Sequence, residues 1–183
     1  MVTASANAID RKDFEFLTEA NSRQWLDAVL MQGQRCVTAV NALRGAGCIE
    51  QSRHASNMMR IEEHFFVIAL GKAMEWLAEL AKQRDEFRPA IEAYLAQMPH
   101  ARDVRNMREH DIAYFKGTGN RQPYFVHEHT DSDGQVLALA DGSSTAVFGE
   151  QYLIGGRLDL NIVVRISQEL RRALGHQNVF ASA

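Results

Sequence analysis

Apolar residues recur at three- and four-residue intervals through most of this chain, and the elements they predict are helices. Trp25, Leu26, Val29, Leu30, Gly33, Val37, Val40 and Leu43 form one stripe, closed by Gly45-Ala46-Gly47, a run suited to a helix C-cap. Asn21 with Gln24 three residues on reads as a capping box that opens this helix, after a short separate helix over 10–20 presenting Phe14 and Leu17. Gly33 sits inside the stripe. There it costs about 1 kcal/mol relative to Ala, and it lets another helix come close. A second stripe, from Met58, Ile61 and Phe65 through Ile68, Ala69 and Ala73 to Trp76, Leu77 and Leu80, predicts a helix over 52–83. Such a helix is roughly 45 Å long, enough for the spine of a bundle. Pro89 suits the first position of a shorter helix carrying Ile91, Tyr94, Leu95 and Met98, which Pro99 ends. A charged helix over 101–115 follows, with Val104, Met107, Tyr114 and Phe115 as its apolar side and Lys116-Gly117-Thr118-Gly119 as its stop.

The period changes at Gln122. Residues 123–129 and 135–140 read as strands joined by the turn Asp131-Ser132-Asp133-Gly134, and 144–148 adds a third strand after Asp141-Gly142. Three short strands cannot bury a core alone, so 122–148 is expected to be an antiparallel hairpin or meander inserted in the bundle. Gly155-Gly156 precedes a last helix over 158–174, with Leu158, Ile162, Val163, Ile166, Leu170 and Leu174 inward and Gly175 at its end. The expected fold is therefore mainly α: one up-down helical-bundle domain over 1–183 with the small β insertion before its C-terminal helix. Residues 1–9 are expected to form a frayed tail.

Composition alters this little. At 183 residues, 46% hydrophobic and 23% charged, the chain can fill a core. A formal charge of -3 gives no general attraction to nucleic acid, so any such contact must be local. The longest apolar run, Phe65 to Leu70, falls far short of the ~20 residues that cross a bilayer, so no membrane partner is expected. The first ten residues lack the basic start and apolar run of a signal peptide. Cys36 and Cys48 have no metal-ligand spacing and are expected to be buried thiols of a cytoplasmic protein.

Several motifs fail on inspection. Gly71-Lys72 lies in a helix with no glycine-rich approach. The Asp131–Gly134 turn lacks the first and twelfth carboxylates of a calcium loop, those places holding His129 and Ala140. Two constellations survive. His127 and His129 project to one face of a strand and could share a metal, given a carboxylate such as Glu109 or Asp111. The other is the stretch from Arg102 to Asp111, in which Arg105-Asn106 is followed by His110. An imidazole can move a proton near neutral pH, and a guanidinium can grip a phosphate with two hydrogen bonds. Two other Arg/His pairs of similar spacing, Arg121/His127 and Arg171/His176, lack a polar residue after the Arg within a helix.

The Arg105-Asn106-x-x-x-His110 spacing resembles the signature of the HEPN family of small helical bundles, many of them metal-independent ribonucleases. The resemblance implies an endoribonuclease acting without metal or other cofactor on RNA or another phosphate-bearing ligand. Arg105 would clamp the phosphate, His110 would transfer protons and Asn106 would position one of them. At 100° per residue Arg105 and His110 stand about 140° apart, whereas Asn106 and His110 share a face. A homodimer that pairs two such motifs, as the resemblance implies, would complete the site. Two alternatives stay open: a non-enzymatic bundle that binds a protein partner, and a metalloprotein using His127 and His129. In the first, Arg105–Glu109 is simply an ion pair on a solvated helix face.

Overall fold

The computed structural model describes residues 10–175, so the expected N-terminal tail, and His176 of the third Arg/His pair, lie outside the described residues. Two long antiparallel helices, α1 (Arg11–Arg44) and α2 (Ile49–Gln83), form the spine. Their 34 and 35 residues make each roughly 50 Å long. In α1 the buried positions Ser22, Leu26, Val29, Gly33, Cys36 and Val40 alternate four- and three-residue steps. In α2 Phe66, Leu70, Ala73, Leu77 and Leu80 do the same. Such a 3.5-residue repeat keeps one seam facing the partner along the whole length of a helix pair.

The break expected at Asn21 is absent. Helix α1 begins at Asp10, whose side chain accepts the Lys12 amide N–H at 2.8 Å, and Asn21 donates back to the Leu17 carbonyl at 2.8 Å. Burial of Thr18 and Ser22 against the neighbouring helix carries the seam across the polar stretch that reads as a boundary.

Helices α3 (Arg88–Ala96) and α4 (Ala101–Glu109) pack back against α2. The predicted charged helix is two: α4 ends at His110, and α5 (Asp111–Phe115) starts at once in a new direction. His110 has φ -122° and ψ 31°, outside the helical range, and the Asp111 carboxylate accepts the Ile112 N–H at 2.7 Å. The turn places Tyr114 on Phe125, ring centroids 5.2 Å apart, in a small buried cluster with Met107.

A turn of 3-10 helix over Gln122–Tyr124 replaces the start of the predicted first strand. Strands β1 (Val126–Thr130) and β2 (Val136–Asp141) form an antiparallel hairpin. The expected third strand, β3 (Thr145–Phe148), does not extend that hairpin. It pairs instead with β4 (Gln151–Ile154), which pairs with β5 (Leu158–Asp159) in a second sheet. The chain is redirected at Asp141, whose carboxylate accepts the N–H groups of Ser143 and Ser144. Gly142 allows this turn: a Cβ there would lie 2.4 Å from the Met107 sulfur. Helix α6 (Leu160–Ala173) is capped by Asp159, which accepts from the Asn161 and Ile162 amides. It lays Leu160, Val163, Ile166 and Leu170 into the core. The architecture is thus mostly helical, with a small antiparallel insertion ahead of the last helix, as the sequence predicts.

Candidate functional site

Helix α4 lies along α2 and presents two arginines, one turn apart, to different depths of the bundle. Arg105 is the shallower. Its guanidinium bonds Glu109 Oε2 through Nε at 2.7 Å and Glu75 Oε1 through Nη1 at 2.9 Å. It lies over Gly71, where a Cβ would come within 2.5 Å of the Arg105 side chain. The Glu75 hydrogen bond, followed by that from Glu109, pushes the guanidinium pKa further up, and the Arg105 hydrogen bond helps hold the Glu75 carboxyl down after the larger effect of Lys72. His110 is exposed at the α4–α5 joint, its backbone N–H donated to the Asn106 backbone carbonyl at 3.1 Å, and its side chain takes no part in the Arg105 network. The structure therefore gathers Arg105, Glu75 and Glu109 and leaves His110 outside that group.

Arg108 is the deeper and is buried. Its Nη2 lies 2.9 Å from Glu63 Oε2 and donates to the Ser144 carbonyl and Thr145 Oγ1, both at 3.0 Å. Glu63 is itself fully buried and also accepts from Thr145 Oγ1 at 2.6 Å and from the Tyr152 hydroxyl. Burial, and then the Glu63 charge, push the Tyr152 hydroxyl far above its ordinary pKa. Cys36 borders the group. Burial first, then Glu63 and Glu62, push its thiol up to about 12, which removes it as a nucleophile near neutral pH. The consequence for α2 is a rotated face. Glu63 takes an inward place, and Met58, Ile61 and Phe65, predicted as core, are exposed at 37, 48 and 53%.

On the hairpin, the two histidines do share a face, their rings 4.8 Å apart. With Ala138 and Ala140 they form the side turned to the protein. The His129 ring lies 5.0 Å from that of Phe148, and its Nε2 is buried without a hydrogen-bond partner among the described residues. No group of three His, Cys, Asp or Glu able to hold a metal occurs among the described residues, so neither Glu109 nor Asp111 completes a site with them. Burial, then the charges of Arg157, His129 and His100, lower the His127 pKa below 6.5 despite the opposing Glu128. The unfolded imidazole thus gains a proton before the folded one. Folding stability contributed here is complete above pH ~6.5 and falls as the pH drops toward the folded pKa. His127→Gln is expected to flatten the decline in urea midpoint between about pH 7 and pH 5; an unchanged pH profile would refute this.

The Arg121/His127 pair is structural. Arg121 is held by both Asp103 oxygens at 2.6 Å and lies over the Tyr124 ring, away from any role with His127. Cys48, expected to be buried, is exposed at the N-cap of α2. No described helix is long and apolar enough to cross a membrane. The fold and site define a helical bundle with a buried acid–arginine centre beneath a charged helix. No family model, curated protein or solved structure matches the chain.

Proposed function

We propose that this protein acts on a phosphate-bearing ligand at the α4–α5 joint, in its fullest form as a HEPN-like, metal-independent endoribonuclease. The observation that carries this reading is the exposed His110 at the break between two helices, five residues after an arginine that is partly accessible, at 26% of its side chain. In the reaction His110 takes the proton of a 2'-hydroxyl, the 2'-oxygen attacks phosphorus, and the 5'-oxygen leaves with a proton from solvent water, giving a 2',3'-cyclic phosphate while His110 returns its proton to solvent. Arg105 holds the non-bridging oxygens and Asn106 orients the imidazole or the substrate hydroxyl. Glu75 and Glu109 both pair with Arg105, so RNA must displace at least one of them. Micromolar protein incubated with RNA in EDTA is expected to cleave it. His110→Ala is expected to lower the rate at least about 100-fold, the range for loss of a general base. Glu75→Gln is expected to raise it. Intact RNA with all three proteins would end the reading.

A second reading, a bundle that binds protein, rests on the hairpin. Its outer face carries Leu137 and Leu139, 64% and 66% exposed, with Val126 beside them, whereas its inner face carries histidines and alanines. This reverses the usual assignment of apolar side chains, and it suits a covered surface. If a second copy covers it, sedimentation at about 10 μM should show a dimer that Leu137→Glu/Leu139→Glu converts to monomer. A monomeric wild-type chain would rule out that homodimer.

A further inference from the structure

We infer that the cleft between α2 and the α4–α5 joint binds a small monocarboxylate with an aromatic or branched apolar body. The cleft encloses about 330 Å³, within the range of small-molecule sites. It reaches Arg108, whose side chain is 5% exposed. Nη2 of that arginine carries its contacts with Glu63, Ser144 and Thr145, while Nε is buried with no hydrogen-bond partner among the described residues. Leaving such a donor unmade is costly, and the side chain that carries it lines the cleft. Arg60 and His64, four residues apart on α2, stand on one face and line the same cleft. Arg60 pairs with no carboxylate among the described residues.

The charges select the ligand. Arg60 and Arg108 are opposed by Glu63 and by Asp111, which also lines the cleft. One added negative charge pairs with Arg60, whereas a phosphate dianion would face two carboxylates already in place. Ile61 and Phe65 supply an apolar wall, half exposed and so available to cover a ring or branched chain. This site uses none of Arg105, Asn106 and His110 and does not depend on RNA cleavage.

The probe is 3-phenylpropionate, followed by isothermal titration or amide chemical shifts at about pH 7. Saturable binding with Kd below roughly 1 mM is expected for a ligand of this size. Arg60→Gln, an exposed position, should weaken it at least about tenfold with the thermal midpoint unchanged. 3-Phenylpropionamide, with the ring and no charge, and acetate, with the charge and no ring, should each bind at least about tenfold more weakly. Absence of saturable binding, equal affinity in Arg60→Gln, equal affinity for the amide, or tighter binding of inorganic phosphate would each overturn the assignment.

Discussion

Glu63→Ala is expected to destabilise the fold by about 3–5 kcal/mol, the cost of removing one partner from a buried ion pair. The carboxylate is fully buried and receives Arg108, Thr145 and Tyr152 from three separate elements. Its loss strands the Arg108 charge at 5% exposure and leaves the Tyr152 hydroxyl without that acceptor. For a chain of this length the thermal midpoint should fall by about 10 °C or more. The double replacement Glu63→Leu/Arg108→Met is expected to recover much of that loss, because the price of desolvating both charges disappears with them. A midpoint for Glu63→Ala within about 2 °C of wild type would show that the network contributes no net stability.

Gly33→Leu should be nearly as damaging, at about 3 kcal/mol. A Cβ at this position would lie 2.4 Å from Val164 Cγ2 and 3.6 Å from the Phe66 ring, so α1 meets α6 and α2 here with no room for a side chain. Gly33→Ala should lose less, since the gain of about 1 kcal/mol in helix propensity offsets part of the clash. Chemical unfolding decides the matter. A more stable Leu variant would mean that α6 can shift away from α1 without loss of packing.

Gly33 also illustrates how far the sequence can be read. A glycine in an otherwise unbroken helical stripe has few other reasons to be there, and the close approach of α6 follows from it. The long helices, their turn at Gly45 and the body of the last helix are local patterns of the same kind, whereas Asp159 caps that helix from inside its predicted span and Ile162, predicted inward, is 43% exposed. Glu63 and Arg108 are different. A charged residue in a helix reads as solvent-exposed unless its partner is known, and the acceptor's partners Thr145 and Tyr152 lie 82 and 89 residues away. That one long-range network also accounts for the misplaced face of α2, because burying Glu63 turns Ile61 and Phe65 outward. At the candidate site, the Arg105–Glu109 pair is local and legible, whereas Glu75 joins it from 30 residues away and is not. The break at His110 was hidden for a similar reason. It follows from Tyr114 seeking Phe125, which lies beyond the helix in a segment whose position no periodicity reveals.

The two thiols divide the molecule's redox exposure unequally. Cys36 is enclosed beside a buried carboxylate and held protonated, while Cys48 sits in the open at the turn joining the two longest helices. A maleimide dye or spin label added to the folded wild-type chain would therefore attach at Cys48, at one end of the long α1–α2 hairpin. Distances from that tip to the rest of the bundle could then be followed in solution without engineering a cysteine.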